Sequence, residues 1–279
     1  MKKIELPKEK VKEVYEICIS KVADPKLKNL LKACSGEIEQ DEDLYDKKGK
    51  VGKLREFPKK DKVNGNIDIK EMKKIYTYRM LHLNQPGRGF YNKLLNSVQV
   101  CPFCGIRDVS TIDHYLPKTK YATTVVTPIN LVPACRDCNS SKNTSDATVE
   151  NEEVWHPYYD DYGNMRWLYA KIKKDSSPVA IFYVDTSSCD ISPEDTNKIK
   201  NSFSIFKLAR LYGIHAAKEL ADIDSFMKTL KRNVGNVGVK QHLEEMYRSC
   251  KNADENSYKT ALYEELKQNE WYIEKYLSQ

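Results

Sequence analysis

The stretch of sequence that decides the fold, from Cys101 to Asn143, reads CPFCGIRDVSTIDHYLPKTKYATTVVTPINLVPACRDCNSSKN. It contains two CxxC pairs, and the gap between them is longer than a simple zinc ribbon uses. The four cysteines are Cys101, Cys104, Cys135 and Cys138. Each CxxC turn places two thiolates on one side of a tight knuckle, and two knuckles together close a tetrahedral Zn²⁺ site. We therefore predict one structural zinc ion on these cysteines, with a further segment inserted between the knuckles.

Two disulfides, or four unrelated buried thiols, are the alternatives to a zinc site. The N-terminal sequence MKKIELPKEKVKEVY carries charges but no apolar stretch of the kind found in secretory signals. This predicts a cytoplasmic protein. In a reducing cytoplasm, paired CxxC motifs favour a metal over disulfides.

The inserted segment predicts two short strands followed by a helix. The doublet Asp113-His114 follows the β-branched run VSTI, and Pro117 ends this first strand. Neighbouring side chains on a strand face opposite ways, so both residues serve one site only if the strand bulges or ends there. The apolar run at residues 129–133 is the predicted partner strand, and the polar residues 136–146 are compatible with a short helix.

Asp113, His114 and Asn139 are the residue types that phosphodiester hydrolysis needs. A divalent cation must neutralise the scissile phosphate and the departing 3′ oxygen. A carboxylate and a carboxamide offer the hard oxygen ligands that suit Mg²⁺ or Mn²⁺. A base with a pKa near neutrality must activate water, and histidine is the natural choice. We predict Asp113 and Asn139 as ligands of this cation and His114 as the general base.

The ordered set of CxxC, Asp-His, Asn and CxxC-Asn resembles the HNH, or ββα-metal, endonuclease family over about residues 98–146. The resemblance implies the strand, strand, helix order. It also implies that Asn130 is a structural residue that ties the loop near the histidine. The last position of the family's motif binds the metal, and here it is Asn139, which gives an HNN version of the motif.

Two further residues are candidates for contact with the phosphate. Lys142 lies one helical turn after Asn139, where it either touches the phosphate or is a solvated helix residue. His156 begins the sequence HPYYD, which resembles the segment after many cores of this family. It either sits near the metal or phosphate or is a packed structural histidine.

The chain as a whole predicts an α+β protein with mainly helical flanks around a small zinc-stapled core. It has 279 residues, a formal net charge of +6 and a mean hydropathy of −0.66, and no apolar run approaches transmembrane length. We predict three regions: a helical region with a basic loop at 1–97, the nuclease core with the following aromatic and strand segment at 98–190, and a C-terminal helical bundle at 191–279. The basic loop, residues 41–66, is either a solvated linker or a flap that contacts a nucleic-acid backbone.

Apolar spacing, capping residues and helix-breaking residues predict the helices and strands outside the core. Apolar spacing predicts helices at 11–22, 27–34, 69–83, 90–98, 216–232, 239–250 and 258–277. The run PVAIFYVD at 178–185 predicts a strand. Ser192 followed by Pro193 predicts a helix start, and Gly213 predicts a helix break.

The function that these expectations favour is a metal-dependent endonuclease, with DNA a more suitable substrate than RNA. By analogy with stand-alone HNH proteins, it resembles an effector of bacterial restriction or anti-phage defence. Such effectors work beside an ATPase of the SMC or ABC type, and self-association through the segment from Ser192 to Gln279 is the other expectation. The alternatives are a zinc-stapled module that binds nucleic acid or a partner without cleavage, and a homing-type nuclease of a mobile element.

Overall fold

The computed structural model describes residues 3–142 and 153–279. The chain forms two compact units, one made by the residues before Asp161 and the other by Asp161–Gln279. Helices and three small antiparallel two-stranded sheets make up the fold, which agrees with the predicted α+β class.

The first unit holds six helices and four short strands within its described residues. The helices are α1 (Val11–Ile19), α2 (Pro25–Ala33), α3 (Ser35–Lys50), α4 (Ile69–Lys74), α5 (Arg88–Leu95) and α6 (Arg136–Lys142). The strands are β1 (Lys62–Val63), β2 (Ile67–Asp68), β3 (Thr111–His114) and β4 (Leu131–Ala134). Strand β1 pairs with β2, and β3 pairs with β4. A π-helical turn, Ile75–Met80, continues α4.

The basic segment 41–66 is not the predicted loop, because residues 41–50 belong to helix α3. The buried face of α3 carries polar groups that all find partners. The Glu42 carboxylate accepts a hydrogen bond from the first backbone N–H of α1 at 3.0 Å, and the Tyr45 hydroxyl donates to Asn130 at 3.1 Å. Lys60 pairs with Glu37 and Asp41, with both contacts at 2.8 Å. Helix α3 lacks a continuous apolar stripe, so hydrophobic spacing does not reveal it. Hydrogen bonds and ion pairs to other elements stabilise its buried face.

One hydrophobic core runs through the first unit. It joins Val14 of α1, Ile38 of α3 and Met72 of α4 to Ile112 of β3 and Leu131 of β4. The core therefore crosses residue 97, where the sequence suggested a boundary between a helical region and the nuclease core. The strand pair of the candidate site is built on the N-terminal helices.

The second unit is a β-hairpin packed with long helices. It contains β5 (Leu168–Lys173), β6 (Val179–Val184), α7 (Pro193–Ile205), α8 (Leu208–Ala253) and α9 (Tyr258–Gln268). Strand β6 matches the predicted strand, whereas its antiparallel partner β5 lies in a segment for which no strand was predicted. The predicted helix start is confirmed, because the Ser192 hydroxyl accepts a hydrogen bond from the Asp195 backbone N–H at 3.0 Å.

Helix α8 continues through Gly213, so the predicted break at that glycine is wrong. The break lies at Gly235, whose φ of 66° and ψ of −166° are not helical. Phe226 and His242 lie on either side of it, with ring centroids 5.1 Å apart. Sixteen residues of straight helix would separate them by about 24 Å. Helix α8 therefore folds back on itself at Gly235 as a helical hairpin.

Across residues 3–142 and 153–279, no helix has the length and apolar character needed to cross a membrane.

Candidate metal centre and cleft

The four CxxC cysteines lie together in the first unit. Their sulfur atoms all lie within 4.8 Å of one another, and all four residues are buried. Thiolates around a tetrahedral zinc with bonds of about 2.3 Å would lie about 3.8 Å apart, so only small shifts separate this cluster from that geometry. The cluster therefore fits a metal ion such as zinc.

The backbone around the cysteines explains how the two knuckles meet. Gly105 adopts a φ of 68° and donates its N–H to the Cys101 carbonyl at 2.8 Å, which closes the first knuckle. Arg107, just after that knuckle, pairs with Asp137 inside the second at 3.0 Å. A positive φ is costly for residues with a side chain, so a glycine at position 105 suits this turn.

The four thiols contact one another closely enough to shift each other's pKa. Hydrogen bonding to Cys101 lowers the pKa of Cys104 and brings the pKa of Cys135 to about 7. The contact with Cys104 raises the pKa of Cys101, and the contact with Cys101 raises the pKa of Cys138. Four thiols held this close together suit a cation, since metal ligation requires thiolates and replaces their protons.

Beside the cysteine cluster, strand β3 brings Asp113 and His114 to one cleft. Strand β3 pairs with β4 in a register that sets Asp113 opposite Val132, and β3 ends at His114. The cleft has a volume of about 560 Å³. It is lined by Ser110, Thr111, Ile112, Asp113, His114, Pro117, Lys118, Thr119, Arg136, Asn139 and Ser140. The end of the strand thus allows two neighbouring side chains to serve one site.

The ring of His114 is held in a defined tautomer. Its Nε2–H donates to the Val125 carbonyl at 2.9 Å, which leaves Nδ1 as a proton acceptor. The ring of Tyr76, from the π-helical turn, meets the imidazole edge to face at 4.4 Å between centroids. Burial, reinforced by the charge of Lys118, lowers the pKa of His114 to about 3. The imidazole is therefore neutral at pH 7 and can accept a proton, but its pKa lies well below the near-neutral value that the sequence analysis expected of the base.

Asp113 is buried and faces Lys142. The Lys142 Nζ lies 3.0 Å from Asp113 Oδ2 and donates to the His114 carbonyl at 2.8 Å. The side chain of Lys142 is only 2% exposed and does not line the cleft, so the structure matches neither the solvated helix residue nor the phosphate contact. The contact with Oδ2 lacks the directional geometry of a hydrogen bond, which leaves this buried oxygen without one. Asp113 also lines the cleft, so the carboxylate that pairs with Lys142 on one side can offer an oxygen to a cation on the other.

Asn139, on helix α6, lines the same cleft. Its Nδ2 donates to Thr111 Oγ1 at 3.1 Å and to the Ile112 carbonyl at 3.4 Å. These bonds join α6 to β3, and they use the amide nitrogen of Asn139 as a donor to the strand. The carboxamide oxygen is then the atom that Asn139 can offer to a cation.

Asn130 lies outside the cleft and is fully buried. It belongs to a 3₁₀ turn, Pro128–Asn130, that precedes β4, and not to the strand predicted there. Its Oδ1 accepts the Leu116 backbone N–H at 2.7 Å, while Nδ2 donates to the carbonyls of Leu116 and Thr124, both at 3.1 Å. Asn130 thus fixes the chain that follows His114.

His156 is packed among aromatic rings and does not line the cleft. It is 1% exposed, its Nε2 contacts the Tyr45 hydroxyl at 3.0 Å, and its Nδ1 accepts the Tyr158 backbone N–H at 3.2 Å. The ring of Tyr115 lies 4.0 Å away between centroids. Of the two alternatives for His156, the structure matches the packed structural histidine and not the phosphate contact.

Two cations of the cleft, Lys118 and Arg136, were missed by the sequence analysis. Lys118 lies over the ring of Tyr76 at 4.7 Å, and burial lowers its pKa. Arg136 is the exposed first residue of α6. Their positions in the sequence could have identified them. Lys118 follows His114 by four residues, and Arg136 comes directly after Cys135. A ring of acidic, basic and imidazole groups around one cleft suits an anionic substrate together with a cation.

The chain is similar to protein ea31 of Escherichia phage lambda, with 29% identity over 247 residues that cover 83% of each chain. No family model matches the chain. No solved structure matches it either. The molecule is therefore defined by its mixed helical and sheet fold and by four buried cysteines that can hold a metal ion.

Proposed function

We propose that this protein is a cation-dependent endonuclease of the HNH type that hydrolyses phosphodiester bonds, preferably in DNA. The observation that carries the proposal is the meeting of Asp113, His114 and Asn139 on one open cleft beside the cysteine cluster. A site built only to bind nucleic acid needs none of these three groups. Their number and order also match the motif to which the sequence is similar.

Each group has a defined task in this proposal. Nδ1 of His114 accepts a proton from the attacking water, and the Nε2–H bond to Val125 keeps the ring neutral and oriented. Asp113 and Asn139 offer their oxygens to Mg²⁺ or Mn²⁺, which when bound neutralises charge on the phosphate and the leaving oxygen. Lys118 and Arg136, which line the cleft, contact the phosphate oxygens in this proposal. Lys142 balances the charge of Asp113 from the buried side.

The direct test is to incubate the purified protein with plasmid, linear duplex, single-stranded DNA and RNA, with Mg²⁺, with Mn²⁺ and with EDTA. We expect cleavage of at least one DNA substrate that requires the cation. Tight binding without cleavage of any substrate would favour the second candidate, a zinc-stapled binding module. The same assay measures whether RNA is cut.

Replacing Asp113 by asparagine tests the cation site. The change keeps the shape of the side chain but removes the charge that attracts a divalent ion, so we expect cleavage to fall and the Mg²⁺ concentration for half-maximal activity to rise together. Titration of activity against Mg²⁺ and Mn²⁺ measures both. Asp43→Asn, an exposed position on α3, is the matched control. Full activity of Asp113→Asn, or wild-type activity in EDTA, would contradict the one-cation mechanism.

Removing the cleft cations tests the phosphate contacts. The double variant Lys118→Gln and Arg136→Gln should raise KM for DNA, because side chains that neutralise phosphates control affinity and its dependence on salt. Steady-state cleavage at several salt concentrations measures this effect. An unchanged KM at every salt concentration would remove both residues from the site.

The biological setting is proposed from analogy and from the phage relative. Resemblance to stand-alone HNH effectors supports a role in anti-phage defence, beside an ATPase or a second copy of this chain. Similarity to a phage protein keeps a homing-type nuclease of a mobile element as a competing setting. A plaque assay with and without the gene, compared with the Asp113→Asn variant, separates them, since only a defence effector lowers plating in a cleavage-dependent way.

A further inference from the structure

The helical hairpin of α8 ends in a tip that the candidate site does not use. The tip surrounds Gly235, where the chain reverses, and comprises residues 228–240. Gly235 needs its positive φ, and a side chain at Gly238 would collide with Val234, because its Cβ would lie 2.2 Å from a Val234 methyl. Both glycines are therefore required by the tight turn.

The tip is strongly cationic. Residues 225–243 contain Lys228, Lys231, Arg232 and Lys240 and no aspartate or glutamate. Lys228 pairs with Asp224 at 3.1 Å, whereas the other three have no carboxylate partner among the residues that the structure describes. Three unpaired cations at one end of a helical hairpin create a local positive field that attracts an anionic polymer.

The tip also exposes small apolar side chains. Val234 is 51% exposed and Val237 is 80% exposed. Insertion into a membrane interface relies on large side chains such as Trp, Phe and Leu. Within residues 224–244, all of which the structure describes, Phe226 is the one exposed large side chain, and its ring is already engaged with His242. Two valines between lysines and an arginine fit a sugar-phosphate backbone better than a lipid surface.

We propose that this tip is a second nucleic-acid contact, which grips the phosphate backbone of a DNA duplex through residues that do not line the cleft. The inference rests on the proposed function for its choice of ligand, but it concerns binding and not cleavage. Lys231, Arg232 and Lys240 contact phosphates, and the valines lie against the sugars. Such contacts carry no sequence information and set affinity and register.

The test measures binding of the full chain to a fluorescently labelled duplex of about 30 base pairs by anisotropy, in EDTA so that no cleavage occurs. The triple variant Lys231→Gln, Arg232→Gln and Lys240→Gln should bind at least about tenfold more weakly at low salt. The slope of log K against log salt should fall by about 2 to 3, since each phosphate contact contributes about 0.9. The matched control is Lys200→Gln, Arg210→Gln and Lys218→Gln, three exposed cations of the same unit away from the tip.

The outcomes separate this inference from the proposed function. If the wild type binds the duplex through the tip but cuts nothing with any cation, the inference holds and the nuclease proposal fails. Wild-type affinity and salt slope in the triple variant, or a loss equal to that of the control, would overturn the inference. Binding to vesicles of phosphatidylserine and phosphatidylcholine is measured in parallel. If the triple variant loses binding to these vesicles but still binds the duplex like the wild type, the inference is also overturned. The single variants Arg232→Gln and Lys240→Gln, each expected to lower the slope by about 0.9, provide a check if the triple variant fails to fold.

Discussion

Replacing His114 by alanine should slow cleavage by a factor of about 10²–10⁴ while leaving binding to nucleic acid nearly intact. The physical reason is that in the proposed mechanism the imidazole is the base of the chemical step, and Nδ1 is free to accept a proton because Nε2–H is bonded to Val125. Single-turnover cleavage measures the chemical step, and anisotropy with the same DNA in EDTA measures binding.

Two controls protect this result from a trivial explanation. His82→Ala changes an exposed histidine of the same unit and should cleave like the wild type. Because His114 is buried, its loss also leaves a cavity, so His114→Asn should be compared for both stability and rate. Cleavage by a folded His114→Ala protein at the wild-type rate would show that another group activates the water.

Removing one cysteine of the cluster should unfold the first unit and not merely slow the reaction. Structural zinc sites contribute about 10–16 kcal/mol of apparent binding free energy in small peptides, which is as large as the whole net stability of a typical domain, about 5–15 kcal/mol. Cys135→Ser should therefore lower the melting temperature sharply and reduce the zinc content below one per chain. Thermal unfolding with elemental analysis of the same sample measures both effects.

The control for the zinc prediction is Cys189→Ser, because Cys189 is partly exposed and lies outside the cluster. It should retain one zinc and the wild-type melting temperature. Protein purified without chelators that contains no zinc would contradict the metal centre. Equal stability of Cys135→Ser and the wild type would show that the metal, if present, is not structural.

The features that the sequence predicted well depend on local spacing. The two residues between paired cysteines define a knuckle. A tetrahedral metal ion needs four ligands, so two knuckles must lie close together. The Asp113-His114 doublet was placed at a strand end because Pro117 follows closely. The helix start at Ser192 was predicted from a capping residue followed by Pro193, and the capping bond that confirms it joins residues only three positions apart. In each case, the residues that decide the feature lie only a few positions apart in the sequence.

The features that the sequence analysis missed depend on contacts between distant residues. Lys142 looks like a surface lysine until Asp113, 29 residues earlier, is placed beside it. Helix α3 buries a carboxylate and a hydroxyl whose partners lie on α1 and in the loop before β4. The break at Gly235 rather than Gly213 depends on backbone angle, since a glycine within a helix is tolerated at a cost of only about 1 kcal/mol. Residue type alone does not show which glycine must adopt a positive φ.

The hydrogen bond between Tyr45 and Asn130 has a practical consequence for protein engineers. A fragment that begins at residue 98, where the motif begins, would lose Tyr45 and with it a hydrogen-bond donor to Asn130. Such a fragment would also present Ile112 and Leu131 to water. We expect it to aggregate on expression, and the smallest soluble piece that retains the cleft should begin at the N-terminus and end near Asp160.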